Sequence, residues 1–338
     1  MNRLLSLFAG FAVLILLSTE TMATTYKIAT LSPDGSSWMQ ALRAGAEEIK
    51  QRTDGRVKFK FYPGGIMGDD KAVLRKMRVG QLHGAAFTNG SLNHYYPDVQ
   101  IYNLVLTFRT LQEVDYVRNE MDSLIVQGLE ENGLVTFGIS EIGFAYLLSK
   151  QPINSVAELR KTKVWIPEGN NVAAQAVEAF SVTPIPLPIR DVLVALQTGM
   201  IDTVAGSPTG AIALQWHSQV KYLTQLPLSY IYGVLAIDEK YFARLTAADS
   251  QVVREVMGKV SKKLDKLNRE DNVAATEAIH NQGVTFLMPS EAAIDELKNL
   301  IGPANQRLIE TGKLSQPMVA RVEQLLKEYR RQARQADQ

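Results

Sequence analysis

The feature that most constrains this chain is an alternation of short strands with amphipathic helices, unbroken by any low-complexity linker. Tyr26–Thr30 reads as a strand. Ser36 or Ser37 then caps a helix whose apolar face carries Trp38, Leu42 and Ile49. Asp54-Gly55 turns into Val57–Tyr62, where Val57, Phe59 and Phe61 alternate with Lys58 and Lys60, the period of a half-buried strand. Pro63-Gly64-Gly65 ends that strand. Asp69-Asp70 opens the next helix with carboxylates at its positive end, Gly80 closes it, and Ala85–Thr88 is a short buried strand. Strands follow at Leu134–Ile139, Ala145–Leu148 and Ile231–Ile237, with a helix over Asn171–Ala179. The last hundred residues are mainly helical: Thr246, Ser290 and Ser315 each cap a helix, the first reaching His280. This order predicts α/β layers with mostly parallel sheets. A chain of 338 residues is long enough for two domains. With no linker between them, it must cross on ordered segments, an arrangement suited to a hinge that closes on a ligand.

Charge and cysteine content narrow the classes. A formal net charge of +1 gives no electrostatic case for a nucleic-acid partner. The absence of cysteine excludes disulfides, a thiol nucleophile, thiolate metal sites and a lipid-anchored N-terminal cysteine. Arg3, the apolar run Leu4–Leu17 and the small-residue end Thr21-Met22-Ala23 predict a secretory signal peptide over 1–23, cleaved near Ala23. The expected location is the periplasm.

A coherent set of catalytic groups is not visible. None of His83, His94, His217 and His280 stands at metal-ligand spacing from another. The glycine-rich stretches GSPTG (206–210) and PGGIMGDD (63–70) match no phosphate-binding loop. We therefore expect no catalysis, metal or cofactor. Aromatics do gather where strands end: Phe87, Phe144, Tyr146, Trp165, Trp216, Tyr230 and Tyr232. In open α/β sheets, apolar ligand pockets lie at the carboxyl ends of strands. Trp165 stands between Val164 and Ile166 in KVWIPEG (163–169), so its side chain points away from theirs, either into a core or toward a ligand.

Four stretches, in order, resemble one family. They are KIATLSPDGSSWMQAL (27–42), GRVKFKFYPGGIMGDDKAVLRKMRVGQL (55–82), EIGFAYLLSKQPINSVAELRKTKVWIPEG (141–169) and PIPLPIRDVLVALQTGMIDTVAGSP (184–208). Together they are similar to the extracytoplasmic solute receptors of TRAP (tripartite ATP-independent periplasmic) transporters, of the dicarboxylate-receptor type. The resemblance implies the two-domain α/β fold of periplasmic binding proteins, with crossing strands and a long helix at the hinge. It implies capture of one small-molecule solute and delivery to TRAP membrane permease subunits, and permits a soluble periplasmic helical-repeat partner. The expected division is 24–143 with about 231–270 in domain I, and about 144–230 with 271–338 in domain II.

The chain departs from that family where carboxylates are gripped. Trp165 stands where the resemblance implies an arginine in a Lys-x-Arg-x-Pro context, and Ala145 where a second arginine often follows Gly-Phe. Ser207 replaces an asparagine, Ile189 an aromatic, and Leu228 a histidine. Burying a carboxylate without a cation costs several kcal/mol, about what an apolar contact against an indole would contribute in the opposite direction. The expected solute is neutral or apolar. The expected contacts are Trp165, Ala145, Tyr146, Phe144, Ile189, Ser207, Leu228, Phe87, Asn89 and Trp38, with Arg190 as a replacement cation if the solute is an organic acid. Three alternatives stay open: Trp165 as simple filler, a receptor for an acid using Arg190, and a carrier or sensor that hands a hydrophobic ligand to a soluble partner.

Overall fold

A computed structural model describes residues 23–336. The expected signal peptide lies outside the described residues except for Ala23. In the first lobe, β1 (Thr24–Thr30) runs parallel to both β2 (Val57–Tyr62) and β3 (Gly84–Thr88). Between β1 and β2, α1 (Ser37–Arg52) buries Met39, Leu42, Ala46 and Ile49, three or four residues apart on one face. Of the two candidate caps, Ser36 is the one used: its hydroxyl accepts the Met39 N–H. The carboxylate of Asp69 accepts the Ala72 N–H at 2.7 Å and starts α2 (Asp70–Arg78).

Residues 89–133, for which the strand–helix pattern set no element, fold as two short 3-10 segments (Asn89–Leu92 and Pro97–Asn103) and the 21-residue α3 (Leu111–Glu131). After β4 (Leu134–Thr136), β5 (Ser140–Ser149) carries the chain into the second lobe. That lobe holds α4 (Val156–Leu159), β6 (Trp165–Pro167), α5 (Asn171–Ala179), β7 (Ile185–Leu187), α6 (Val192–Thr198), β8 (Thr203–Gly206) and α7 (Pro208–Ala213). β6 and β7 pair in parallel, Trp165 opposite Ile185.

The return path is β9 (Tyr222–Asp238), far longer than the expected Ile231–Ile237 because it has partners along most of its length. It pairs antiparallel with β3, β4 and β5, and its first residues pair with β10 (Thr285–Leu287). The strand order β2-β1-β3-β9-β5-β8 therefore makes one mixed sheet through both lobes. The β5–β9 register slips between Ala145 and Leu147, opposite the stretch containing Pro227, which has no N–H to give the ladder. After α8 (Glu239–Phe242), α9 (Ala247–Asn281) runs 35 residues from its Thr246 cap. At 1.5 Å per residue it spans about 52 Å, long enough to brace both lobes. α10 (Glu291–Glu310) packs Ile301 with Phe180 and Val182 in the second lobe.

The C-terminal α11 (Gln316–Ala336) packs elsewhere than the expected division placed it. Val319, Val322, Leu325 and Leu326 join the first lobe's core with Val114 and Val117 of α3. Arg321 pairs with Glu120, and Arg330 with Glu113 at 2.7 Å. The apolar stripe found its partner on α3, an element the sequence pattern had not brought out.

Candidate functional site

The segment where both lobes meet is built by β5, β9 and the loop after β6. Phe144 is buried in the first lobe's core, its ring edge-on to Tyr230 at 5.8 Å. One strand position later Ala145 is buried and pairs with Ser229. Tyr146 is part-buried and touches the cores of both lobes, so it lies at the junction. Burial raises its hydroxyl pKa above the ordinary value.

Trp165 is only 3 % exposed. Its indole N–H donates to the Leu187 carbonyl at 2.9 Å, and its ring meets Trp216 edge-on at 5.1 Å. Trp216 in turn lies over Gly206, where an added Cβ would stand 3.0 Å from the indole. Gly206 pairs with Tyr146. Trp165, Trp216, Tyr146 and part-buried Ile189 thus form one aromatic and aliphatic wall on the second lobe. Leu228 is part-buried beside Pro227, and its carbonyl accepts the Leu106 N–H at 2.7 Å.

Other expected contacts are committed to the scaffold. Ser207 caps α7, its hydroxyl accepting the Gly210 N–H at 3.1 Å. Phe87 is buried in the first lobe's core. Trp38 packs with the cluster on the other face of that sheet and donates its indole N–H to Asn268 at 3.0 Å. Asn89 is buried and donates to Asn103 at 2.6 Å, while Asn103 donates to the Tyr230 carbonyl. Arg190 is exposed, 3.6 Å from Asp191 and 3.8 Å from Asp69 on the opposite lobe.

Contacts across the mouth show the lobes closed on one another. Lys71 lies 3.6 Å from Glu168, and Asn93 donates to the Gly169 carbonyl at 2.9 Å. The carboxyl group of Asp70 turns onto the Ser91 hydroxyl. Burial pushes that carboxyl up to about 6; neighbouring Asp69 adds to the rise and the Ser91 bond opposes it. Under the junction, Arg118 of α3 binds Asp122, Asp265, Tyr230 and the Ile139 carbonyl, and Arg269 of α9 binds Asp115 and Glu141. These cations are held by acids of the hinge. Trp216 was visible only as one of the strand-end aromatics, whereas Gln100 and Asn170, which both lie near Gly90, had no sequence signal.

Two lobes joined by crossing strands, braced by a long helix and touching across their mouth have the architecture of a binding protein. The chain belongs to the DctP family, bacterial extracellular solute-binding protein family 7, whose pattern matches residues 28–311. A solute-binding protein of Verminephrobacter eiseniae is 24 % identical over 279 residues, covering 80 % of this chain and 81 % of that one. The sialic acid-binding periplasmic protein SiaP of Vibrio cholerae is 19 % identical over 305 residues, covering 89 % and 92 %. Among solved structures, the galactonate complex of the sugar acid binding protein DctPAm from Advenella mimigardefordensis superposes with a TM-score of 0.83 at 18 % identity, covering 91 % of this chain and 99 % of that one. A TRAP periplasmic solute-binding protein from Sulfitobacter with bound β-D-galacturonate gives 0.81 at 19 %, covering 90 % and 100 %. The chain is thus a solute-binding protein of a non-enzymatic family, and that family implies a small solute and a TRAP permease as partners.

Proposed function

We propose that this receptor captures a solute carrying no charge where it meets Trp165, and hands it to its permease. The observation that carries this reading is the commitment of Trp165: its N–H is held by the Leu187 carbonyl and its ring meets Trp216, so the indole offers a solute carboxylate no free donor. An anionic group pressed against that wall would lose its hydration with no donor fork to replace it. Calorimetry on the ligand-stripped protein should detect no binding of succinate or galactonate. Submicromolar binding of either would overturn the reading.

A second reading is supported by Arg190. Its guanidinium is 54 % exposed and reaches Asp69 only at 3.8 Å, so little holds it at the rim. If it turns inward, it becomes the grip for an acid of the kind bound by the solved relatives. Under this reading Arg190→Ala abolishes galactonate binding; under the first, the same change leaves solute affinity within about twofold, since a rim charge of this kind is worth little.

A further inference from the structure

Gln100 is fully buried in the 3-10 segment Pro97–Asn103 of the first lobe. Its amide orientation is fixed by chemistry: Nε2 donates to the Gly90 carbonyl at 3.2 Å, and a flipped amide would set two acceptors against each other. Oε1 is then left as the one buried side-chain polar atom without a hydrogen-bond partner among the described residues. A buried acceptor with no donor from the protein takes one from water or from a bound molecule.

Gln100 lies close to the seam between the lobes. Gly90 lies where the lobes meet: a Cβ there would stand 3.1 Å from Asn170 Nδ2 of the second lobe and 3.6 Å from Gln100 Nε2. Asn170 uses Oδ1 to cap α5, accepting the Ala173 N–H at 2.9 Å, which leaves Nδ2 on the side of the first lobe. Asn170 follows Gly169, whose carbonyl already receives Asn93 from the first lobe. Both residues sit on the loop that leaves β6, the strand of Trp165.

We propose that Gln100 Oε1 is a solute-recognition acceptor, taking a hydroxyl or amide N–H of the captured molecule at the closed seam, with Asn170 Nδ2 as a donor beside it. The inference rests on the reading of an uncharged solute and narrows it. The solute is neutral yet carries at least one hydrogen-bond donor, as a polyol, a hydroxylated lactone or an amide does. A hydrocarbon leaves Oε1 unpaired, and a carboxylate, which only accepts, sets oxygen against oxygen.

Gln100→Met and Gln100→Leu keep the bulk and remove the acceptor. Native mass spectrometry of protein taken from the periplasm without denaturation reads the fraction carrying a solute, and thermal melting of the stripped protein reads the fold. The solute-bearing fraction should fall at least about tenfold in both variants, while the stripped variants melt only a few degrees below wild type, since removal of the unpaired acceptor partly offsets loss of the Nε2 bond to the Gly90 carbonyl. Wild-type occupancy in either variant overturns the proposal, as does a stripped variant melting many degrees lower, which would make Gln100 a scaffold residue. A wild type that carries no solute and gains no thermal stability from galactitol or galactono-1,4-lactone also overturns it. If the retained solute is an acid yet leaves with Gln100, the charge reading fails and the acceptor role stands.

Discussion

The indole of Trp165 is held by one hydrogen bond and by packing against Trp216. Trp165→Phe keeps a ring near Trp216 but deletes the bond to the Leu187 carbonyl and leaves the smaller ring's void, a loss of about 1–3 kcal/mol. Trp165→Ala removes a side chain that is 3 % exposed and should cost about 3–5 kcal/mol. Urea denaturation of the ligand-stripped protein measures both, and equal effects would mean that the ring contributes no packing. The alternation of Trp165 with Val164 and Ile166 could tell which way the ring pointed but not what it met, because its partner Trp216 is 51 residues further along the chain. Ser207 was legible as a polar group near the wall, but its hydroxyl serves the first turn of α7. Gln100 was illegible for a stricter reason. Its importance lies in an absent hydrogen bond, and only a three-dimensional inventory of donors can reveal an absence.

Elements with local signals were legible. The caps Asp69, Thr246 and Ser290 start helices where expected, since a side chain accepting an N–H three residues on is a short-range event. The extent of β9 was not, because most of its length is stabilised by pairing with strands far away in sequence. At the crossing, β5 bends at Gly143, whose φ of +116° is open to glycine and strained for any other residue. An added Cβ would stand 2.6 Å from Asn272 Nδ2, which is occupied in donating to the Ile142 and Asn268 carbonyls. Gly143→Ala should therefore cost about 2–3 kcal/mol in chemical denaturation. A neutral result would mean that the β5–α9 contact yields freely and does not brace the hinge. Nearby, Gly233 lets α1 approach β9: a Cβ there would meet the Trp38 ring at 2.6 Å.

For the whole molecule, a part-buried acid near the mouth links stability to pH. Asp70 is raised to about 6 when folded, so between its unfolded pKa near 4 and that value the folded chain binds more protons than the unfolded chain. Stability should fall as pH rises through that window and stay reduced above it, by on the order of 2–3 kcal/mol. Asp70→Asn, which can still accept the Ser91 hydroxyl, should flatten the melting temperature between about pH 4 and 7 and raise it at the upper end. An unchanged slope would place the carboxyl in water. At the mouth Lys71 faces Glu168 and Arg190 faces Asp69, so these carboxylates stand beside cations. The central claim is the charge of the solute, and it is tested most directly by isolating the receptor from the periplasm under native conditions, extracting what it carries and determining that molecule's mass and ionisable groups. A neutral molecule with at least one hydroxyl or amide N–H is the expected result; a sugar acid or dicarboxylate in the extract would contradict it.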